Sequence, residues 1–379
     1  MTDYAELALL PAGMHDDLPP FAGHEARSIE RLVTGFEAQG YDRVKPPLIE
    51  FEESLLSGPG AGVARHMFRL MDPESRRMMG LRADMTTQVA RIACTRLKGA
   101  PRPLRLCYAG QVLRVRGSQL RPERQYAQAG VELIGPASVE ADAEVVQLAA
   151  EALTDLGVTG LSVDLTVPTL VPLMAEALGL DGDQAKGARE ALDVRDGAAI
   201  AALPGLAPAA LDGLLRAAGP AASAIERLAG LDLPPPARRL CDRLAELVDV
   251  LAGANGDLAL TVDPGESRGF EYQTGVSFTL FAQGVRGELG RGGRYALASG
   301  EAATGFTLYL DSLMRAVPDA AERRRLYLPH GTANGAGRTW RDQGWQTVQG
   351  LDADGPADDE ARRLGCSHLL RDGQPEELS

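Results

Sequence analysis

Between residues 21 and 39 (FAGHEARSIERLVTGFEAQ) the apolar positions Ile29, Leu32, Val33 and Phe36 recur at helical spacing, and Gly40 follows where a helix would stop. This predicts an amphipathic helix. Tyr41 to Phe51 (YDRVKPPLIEF) reads as extended chain, and Pro46 and Pro47 restrict it to an edge strand or a strand start. HMFRLMD and RRMMGLRAD are short alternating runs that predict a hairpin. In DMTTQVARIACTR (84 to 96) an acid and threonines precede Val89, Ile92 and Ala93, the pattern of a capped helix start with an apolar stripe. Residues 104 to 115 and 126 to 134 predict two strands joined by an arginine-rich loop, and 138 to 156 a helix.

From Pro168 to about Ala254 the chain turns to Ala, Leu, Gly and Pro with helical periodicity, which predicts an inserted all-helical subdomain. Strand character returns at LALTVDP (258 to 264) and GVSFTLFA (275 to 282). The glycine-rich GELGRGGRY and the apolar run TGFTLYLDSLMRAV follow. The second run reads as a helix with Phe306, Leu310, Leu313 and Met314 on its apolar face. Strands without regular helical crossovers predict an α+β fold with an antiparallel sheet flanked by helices. The expected organisation is a core over residues 1–320, with the helical insertion at about 168–254, and a short C-terminal module over 321–379. That module shows one strand-like run, LYL, and a helix around DDEARRLG.

With 379 residues, 45% of them hydrophobic, the chain can fill a substantial core. No run approaches twenty uncharged apolar residues, and no basic segment precedes an apolar run at the N-terminus, so the expectation is a cytoplasmic protein without a membrane span. The net charge of −13 weighs against a nucleic-acid partner, because affinity for a phosphate backbone depends on clustered Lys and Arg. The four cysteines form no CxxC pair and the five histidines no HxxxH or HExxH spacing, so no metal site and no disulfide framework is predicted.

Four segments carry candidate chemistry. In LRADMTT (81 to 87), Asp84 and Thr86 stand where a helix begins; they read equally as an N-cap and as a carboxylate receiving a ligand ammonium group. In RLCYAGQVLRVRGSQLRPERQYAQAGVELIG (105 to 135), Arg114, Arg116, Arg121 and Arg124 are either a phosphate-binding set or a solvated loop tip. Gln128 and Glu132, four apart, share one face of the following strand. Burying both without partners is costly, which favours a polar ligand site. SRGFEYQTGVSF (267 to 278) carries Arg268 ahead of a strand. GRGGRYALASGEAATGFTLYLDSLMRAV (290 to 317) is glycine-rich, as a phosphate cradle or a close helix–sheet contact would be.

Together these segments, in this order and with the insert between the second and third, resemble the histidyl-tRNA synthetase family of class II aminoacyl-tRNA synthetases over nearly all of residues 5 to 317. YDRVKPPLIEF resembles the first class II motif, residues 105 to 135 the second and 290 to 315 the third, while RGFEY resembles the arginine-bearing segment of histidine enzymes. The resemblance implies self-association through the first motif. It also implies a histidine pocket in which Asp84 and Thr86 hold the ammonium group, Gln128 and Glu132 the amino acid and its imidazole, and Arg268 and Tyr272 line the same cavity. Arg114 stands at the second-motif arginine, which contacts the carboxylate.

The nucleotide half departs from that pattern. Arg116 occupies the position of an adenine-reading glutamate, Asp311-Ser312 replaces the third motif's Glu-Arg, and Gln273 follows Tyr272 where a tyrosine is usual. Each lost donor to developing charge costs roughly 2.7–4 kcal/mol of barrier. With LR-x-DMT at 81 to 86 and a module too short for an anticodon-binding domain, the chain is closer to the family's non-catalytic branch, the regulatory subunits of ATP phosphoribosyltransferase. That resemblance implies a short-form catalytic subunit as partner, activation of the first step of histidine biosynthesis, feedback by histidine, and neither catalytic residues nor a cofactor of its own. The alternatives are an active synthetase and a free-standing histidine-binding protein.

Overall fold

The computed structural model describes all residues except 1–8, 57–63, 119–120, 255–257, 268–271, 320–323, 354 and 379. It divides into two compact units, Met1–Pro318 and Asp319–Ser379. The first unit opens with α1 (Phe21–Ala38), β1 (Asp42–Arg43), β2 (Ile49–Phe51), α2 (Glu52–Leu55), β3 (Arg69–Met71), β4 (Met78–Leu81) and α3 (Thr86–Cys94). The long strands β5 (Leu104–Leu113) and β6 (Gln125–Ile134) follow, then α4 (Val139–Asp155) and β7 (Leu161–Thr166). The insert contributes α5 (Leu170–Ala177), α6 (Gly182–Asp193), α7 (Gly197–Ala201), α8 (Ala207–Ala217), β8 (Gly219–Pro220), α9 (Ala221–Ala229) and α10 (Pro235–Ala254). β9 (Ala259–Val262), β10 (Gln273–Ala282), β11 (Gly290–Ala296), β12 (Ala302–Tyr309) and the short α11 (Leu310–Leu313) complete the unit.

Among the described residues a nine-stranded sheet runs in the order β1-β5-β6-β12-β11-β10-β7-β9-β8. The central ladder from β5 to β7 is antiparallel throughout; parallel pairs occur only toward the margins, β1 with β5 and β7 with β9. A three-stranded antiparallel sheet, β2-β4-β3, holds the predicted hairpin, with Arg69 opposite Gly80.

The sheet has two chemically different faces, because side chains alternate along each strand. On one face Ala127, Ala129, Val131 and Leu133 of β6, Phe306 and Leu308 of β12, and Val276, Phe278 and Leu280 of β10 are buried in the main core. α1 contributes Leu32, Val33 and Phe36 to that core, and the Phe36 ring meets Phe306 edge-on at 5.6 Å. α4 is fastened to the same face by charge. Arg294 of β11 binds Asp142 through two contacts of 2.7 and 3.1 Å, and Arg243 of α10 reaches the same carboxylate at 2.8 Å. One buried acid thereby ties sheet, helix and insert together.

Two local expectations need correction. Residues 302–309 form strand β12, not a helix, and only Leu310–Leu313 are helical. AATGFTLY alternates at period two, and its inner neighbours β6 and β11 supply ladder hydrogen bonds on both sides, an outcome that the apolar run by itself does not reveal. The insert is not wholly helical either, since Gly219–Pro220 pairs with β9. The second unit is also richer than expected: β13 (Arg325–Leu328), α12 (Asn334–Asp342), β14 (Gln346–Gln349), α13 (Ala357–Arg363), β15 (His368–Arg371) and β16 (Gln374–Glu377) build a sheet of order β14-β13-β15-β16. No described helix is long and apolar enough to cross a membrane.

The Asp142 junction makes a testable stability claim. Asp142→Ala strands two partly or fully buried guanidinium groups without a counter-charge, and losing one partner of such a pair costs about 3–5 kcal/mol. Urea unfolding should report a loss of that order; a midpoint equal to that of the parent chain would show that the junction contributes nothing to the fold.

Candidate functional site

The opposite face of the sheet is polar where the hydrophobic face is most apolar. Reading across one register row, Leu106, Glu132, Gly305, Gly293, Ser277 and Thr166 stand side by side on β5, β6, β12, β11, β10 and β7. Directly paired residues project to the same side, so Glu132 points across two glycines. At Gly305 a Cβ would run into the Glu132 carboxylate and the Val131 carbonyl, which is why this neighbour position has no side chain. The glycines of the third-motif segment therefore make room for a carboxylate.

Glu132 is 1% exposed and makes no ion pair among the described residues. Tyr295 Oη donates to its Oε2 at 2.8 Å and Tyr108 Oη to its Oε1 at 3.4 Å. Tyr108 Oη also lies 2.8 Å from Thr307 Oγ1 and 3.3 Å from Thr86 Oγ1. These neutral hydroxyls do not offset the loss of water, and burial pushes the Glu132 carboxyl up to about 8, with the Asp84 charge adding to the rise.

Asp84 lies between β4 and α3, one residue ahead of the Met85 N-cap, and its carboxylate ties this turn to β6. Its Oδ1 accepts the Thr86 amide at 2.9 Å, as a turn-forming cap does, while its Oδ2 accepts Gln128 Nε2 at 3.1 Å. Gln128 Oε1 in turn accepts the Met85 amide at 3.1 Å, so this fully buried glutamine locks the Asp84 loop onto β6. Asp84, Thr86, Gln128 and Glu132 thus belong to one connected polar cluster. The Tyr272 ring, 40% exposed, packs edge-on against Tyr295 at 5.9 Å and borders the same cluster. Arg114 touches it only through backbone, with Nε 3.5 Å from the Ala83 carbonyl and its guanidinium 5.5 Å from the Tyr126 ring. Arg268 lies outside the described residues.

Sequence reading missed Tyr108, Tyr295 and Thr307. The signal for them is register, since Tyr108 and Thr307 both flank Gly130 on the face of Gln128 and Glu132. Two further buried groups on this face, Gln273 Oε1 and Ser277 Oγ, have no hydrogen-bond partner among the described residues. Acceptors left open in this way are places for a ligand's donors.

A separate buried charged group surrounds Arg121. Arg121, 8% exposed, lies 3.7 Å over the Tyr309 ring, donates to Glu288 Oε1 at 3.1 Å and pairs with Asp311 Oδ2 at 3.2 Å. Ser312, at the third-motif arginine position, is buried and accepts Arg315 Nη2 at 3.0 Å. Arg116 is exposed.

Comparison with known proteins places this geometry in a family. A family model described as Histidyl-tRNA synthetase matches residues 13–313. The ATP phosphoribosyltransferase regulatory subunit of Rhodospirillum centenum is 58% identical over 98% of this chain and 97% of its own, and that of Paramagnetospirillum magneticum is 57% identical over 98% of each. The chain belongs to the ATP phosphoribosyltransferase regulatory subunit family. Among solved structures, an ATP phosphoribosyltransferase regulatory subunit/histidyl-tRNA synthetase from Bacillus halodurans superposes with a TM-score of 0.83 at 25% identity, covering 96% of this chain and 97% of that one. A histidyl-tRNA synthetase from Nostoc shares the fold, with a TM-score of 0.79 at 14% identity over 96% of this chain and 91% of that one. The regulatory-subunit family and the synthetases therefore share the class II α+β core.

Glu132 carries a pH prediction. Its carboxyl is raised in the folded chain, so the fold holds a proton that the unfolded chain has released above its ordinary value near 4.5. Stability from this group is full below about pH 4.5 and is lost as pH rises toward 8, at up to ~1.4 kcal/mol per pH unit. Glu132→Gln, unable to ionise, should flatten that slope in urea unfolding series at pH 5 and pH 8.5. An unchanged slope would mean that Glu132 does not titrate in this window.

Proposed function

We propose that this chain is the non-catalytic regulatory subunit of ATP phosphoribosyltransferase, activating a short-form catalytic subunit in the first step of histidine biosynthesis and relaying feedback inhibition by histidine. It works in the cytoplasm and self-associates through the first class II motif. The observation that carries this reading is the contrast between the two halves of the site. A buried polar cluster is assembled around Asp84, Gln128 and Glu132, which this reading takes as the amino-acid half, whereas Arg121 is packed on Asp311, Glu288 and Tyr309 and a serine stands at 312, in what it takes as the former nucleotide half.

In this reading the histidine ammonium group binds Asp84 Oδ2 and Thr86, its carboxylate faces Arg114, and its imidazole lies against Glu132, with Arg268 and Tyr272 closing the pocket. The open acceptor Gln273 Oε1 offers the ring a further partner. A protonated Glu132 donates to an imidazole nitrogen and an ionised one accepts from the ring N–H, so either state can hold the ring. Binding becomes regulation by linkage: histidine shifts the hetero-oligomer only to the extent that it prefers one arrangement of the subunits. By reciprocity, the ligands of the active catalytic subunit weaken histidine binding.

The test is co-purification with a short-form catalytic subunit, followed by phosphoribosyltransferase assays with and without histidine. We expect a stable complex, activity that depends on this chain, and inhibition by histidine. Asp84→Ala should weaken histidine binding in calorimetry about 10- to 100-fold, the range of a charged hydrogen bond, and desensitise the complex in step. Histidine-dependent exchange of pyrophosphate into ATP would instead identify a synthetase, and failure to form the complex a free-standing histidine-binding protein.

A further inference from the structure

A second polar cavity, of about 100 Å³, lies at the N-terminal end of α1, the facing ends of β5 and β6 and the start of α11, lined among others by Glu25, Gln111, Glu123, Gln125, Tyr126 and Asp311. It shares no lining residue with the amino-acid cluster, although Tyr126 projects to the same face of the sheet as Gln128 and Glu132. Gln111 and Gln125 are odd-numbered positions of the β5–β6 ladder and project to the face opposite Gln128 and Glu132. Asp17 also lines it, so four carboxylates border this cavity. Arg121, divided between Asp311 and Glu288, and the exposed His15, 3.1 Å from Asp17, are the cations paired with this set. Neither Glu25 nor Glu123 has a cation within ion-pair distance among the described residues.

Two buried groups point to a missing occupant. The Asp311 side chain is 4% exposed and its Oδ1 has no hydrogen-bond partner among the described residues; Tyr126 is likewise 4% exposed, with an unpartnered hydroxyl. Glu123 Oε2 is buried in the same condition. Buried acceptors without donors are rare in native proteins and cost free energy. Burial followed by the Asp17 charge pushes the Glu25 carboxyl up, and burial raises Asp311 too, against the opposing Arg121 charge.

We propose that this cavity binds an organic cation, a guanidinium or primary ammonium group. A bare metal ion fits poorly, since no three His, Cys, Asp or Glu side chains among the described residues converge as ligands. Separated acceptors suit instead a planar cation that fans out several N–H donors, and the half-exposed Phe21 at the rim offers a ring for it to stack on. The cation comes either from a free amine or from an arginine or lysine of a protein docked beside the exposed Leu18 and Phe21.

Agmatine, which carries both cationic groups, is the probe. Calorimetry on the full chain should show saturable binding at one site per chain, weakened at least tenfold in the Glu25→Gln/Glu123→Gln double variant. Histidine titrated into that variant checks the fold and reports on the other pocket separately, so failure of the histidine reading leaves this result interpretable. If a protein side chain is the source, agmatine instead competes with association, and the chain sediments more slowly in its presence. Agmatine that neither binds nor alters sedimentation, or that binds the double variant equally well, overturns the proposal.

Discussion

Everything around the polar face follows from placing one carboxylate, Glu132, at the middle of a nine-stranded sheet with no positive charge among the described residues paired with it. An isolated buried carboxyl is tolerated only if it is protonated or hydrogen-bonded. Tyr295 and Tyr108 satisfy part of that demand, Gly305 clears the space, and burial holds the proton on the acid into the neutral range. Those requirements propagate outward: Tyr108 is held by Thr307 and Thr86, and Thr86 belongs to the loop that Gln128 clamps.

The same sheet can carry such a face because its reverse is an ordinary apolar core. Along β6 the alanines and valine that alternate with Gln128 and Glu132 pack against α1 and α4, and the Asp142 junction fixes α4 to β11. The other face holds a smaller apolar cluster, with Leu106, Val112 and Ile134 beside Met85 and Val89, around its polar groups. A polar cluster that would be a liability in a core is affordable here because the reverse face holds the main core.

The two halves of the site have diverged in different ways. The Glu132 cluster keeps open acceptors at Gln273 and Ser277, whereas Arg121 is held by a ring contact and two acids of its own chain. Arg121 was one of four arginines in a loop that sequence alone could read as phosphate-binding or solvated, and it is buried rather than solvated. Its guanidinium is buried against Tyr309, a contact that joins residues 188 positions apart and has no local signature.

Much was legible in the sequence because it depends on near neighbours. The helical spacing of Ile29 to Phe36, the period-two alternation of β5 and β6, the acid and threonines opening α3, and the class II α+β core with its helical insert all follow from local patterns or from motif order. Gln128 and Glu132 were legible as polar residues on a strand face that ought to be apolar, and Asp84 as an acid where a helix begins. Only the tertiary structure decided that residues 302–309 are a strand, that Tyr108, Tyr295 and Thr307 complete the cluster, and that Gly293 and Gly305 open its floor. The physical reason is register: a strand's own residues set which side chains alternate, but which ones meet across a sheet is set by hydrogen-bonded neighbours distant in the chain.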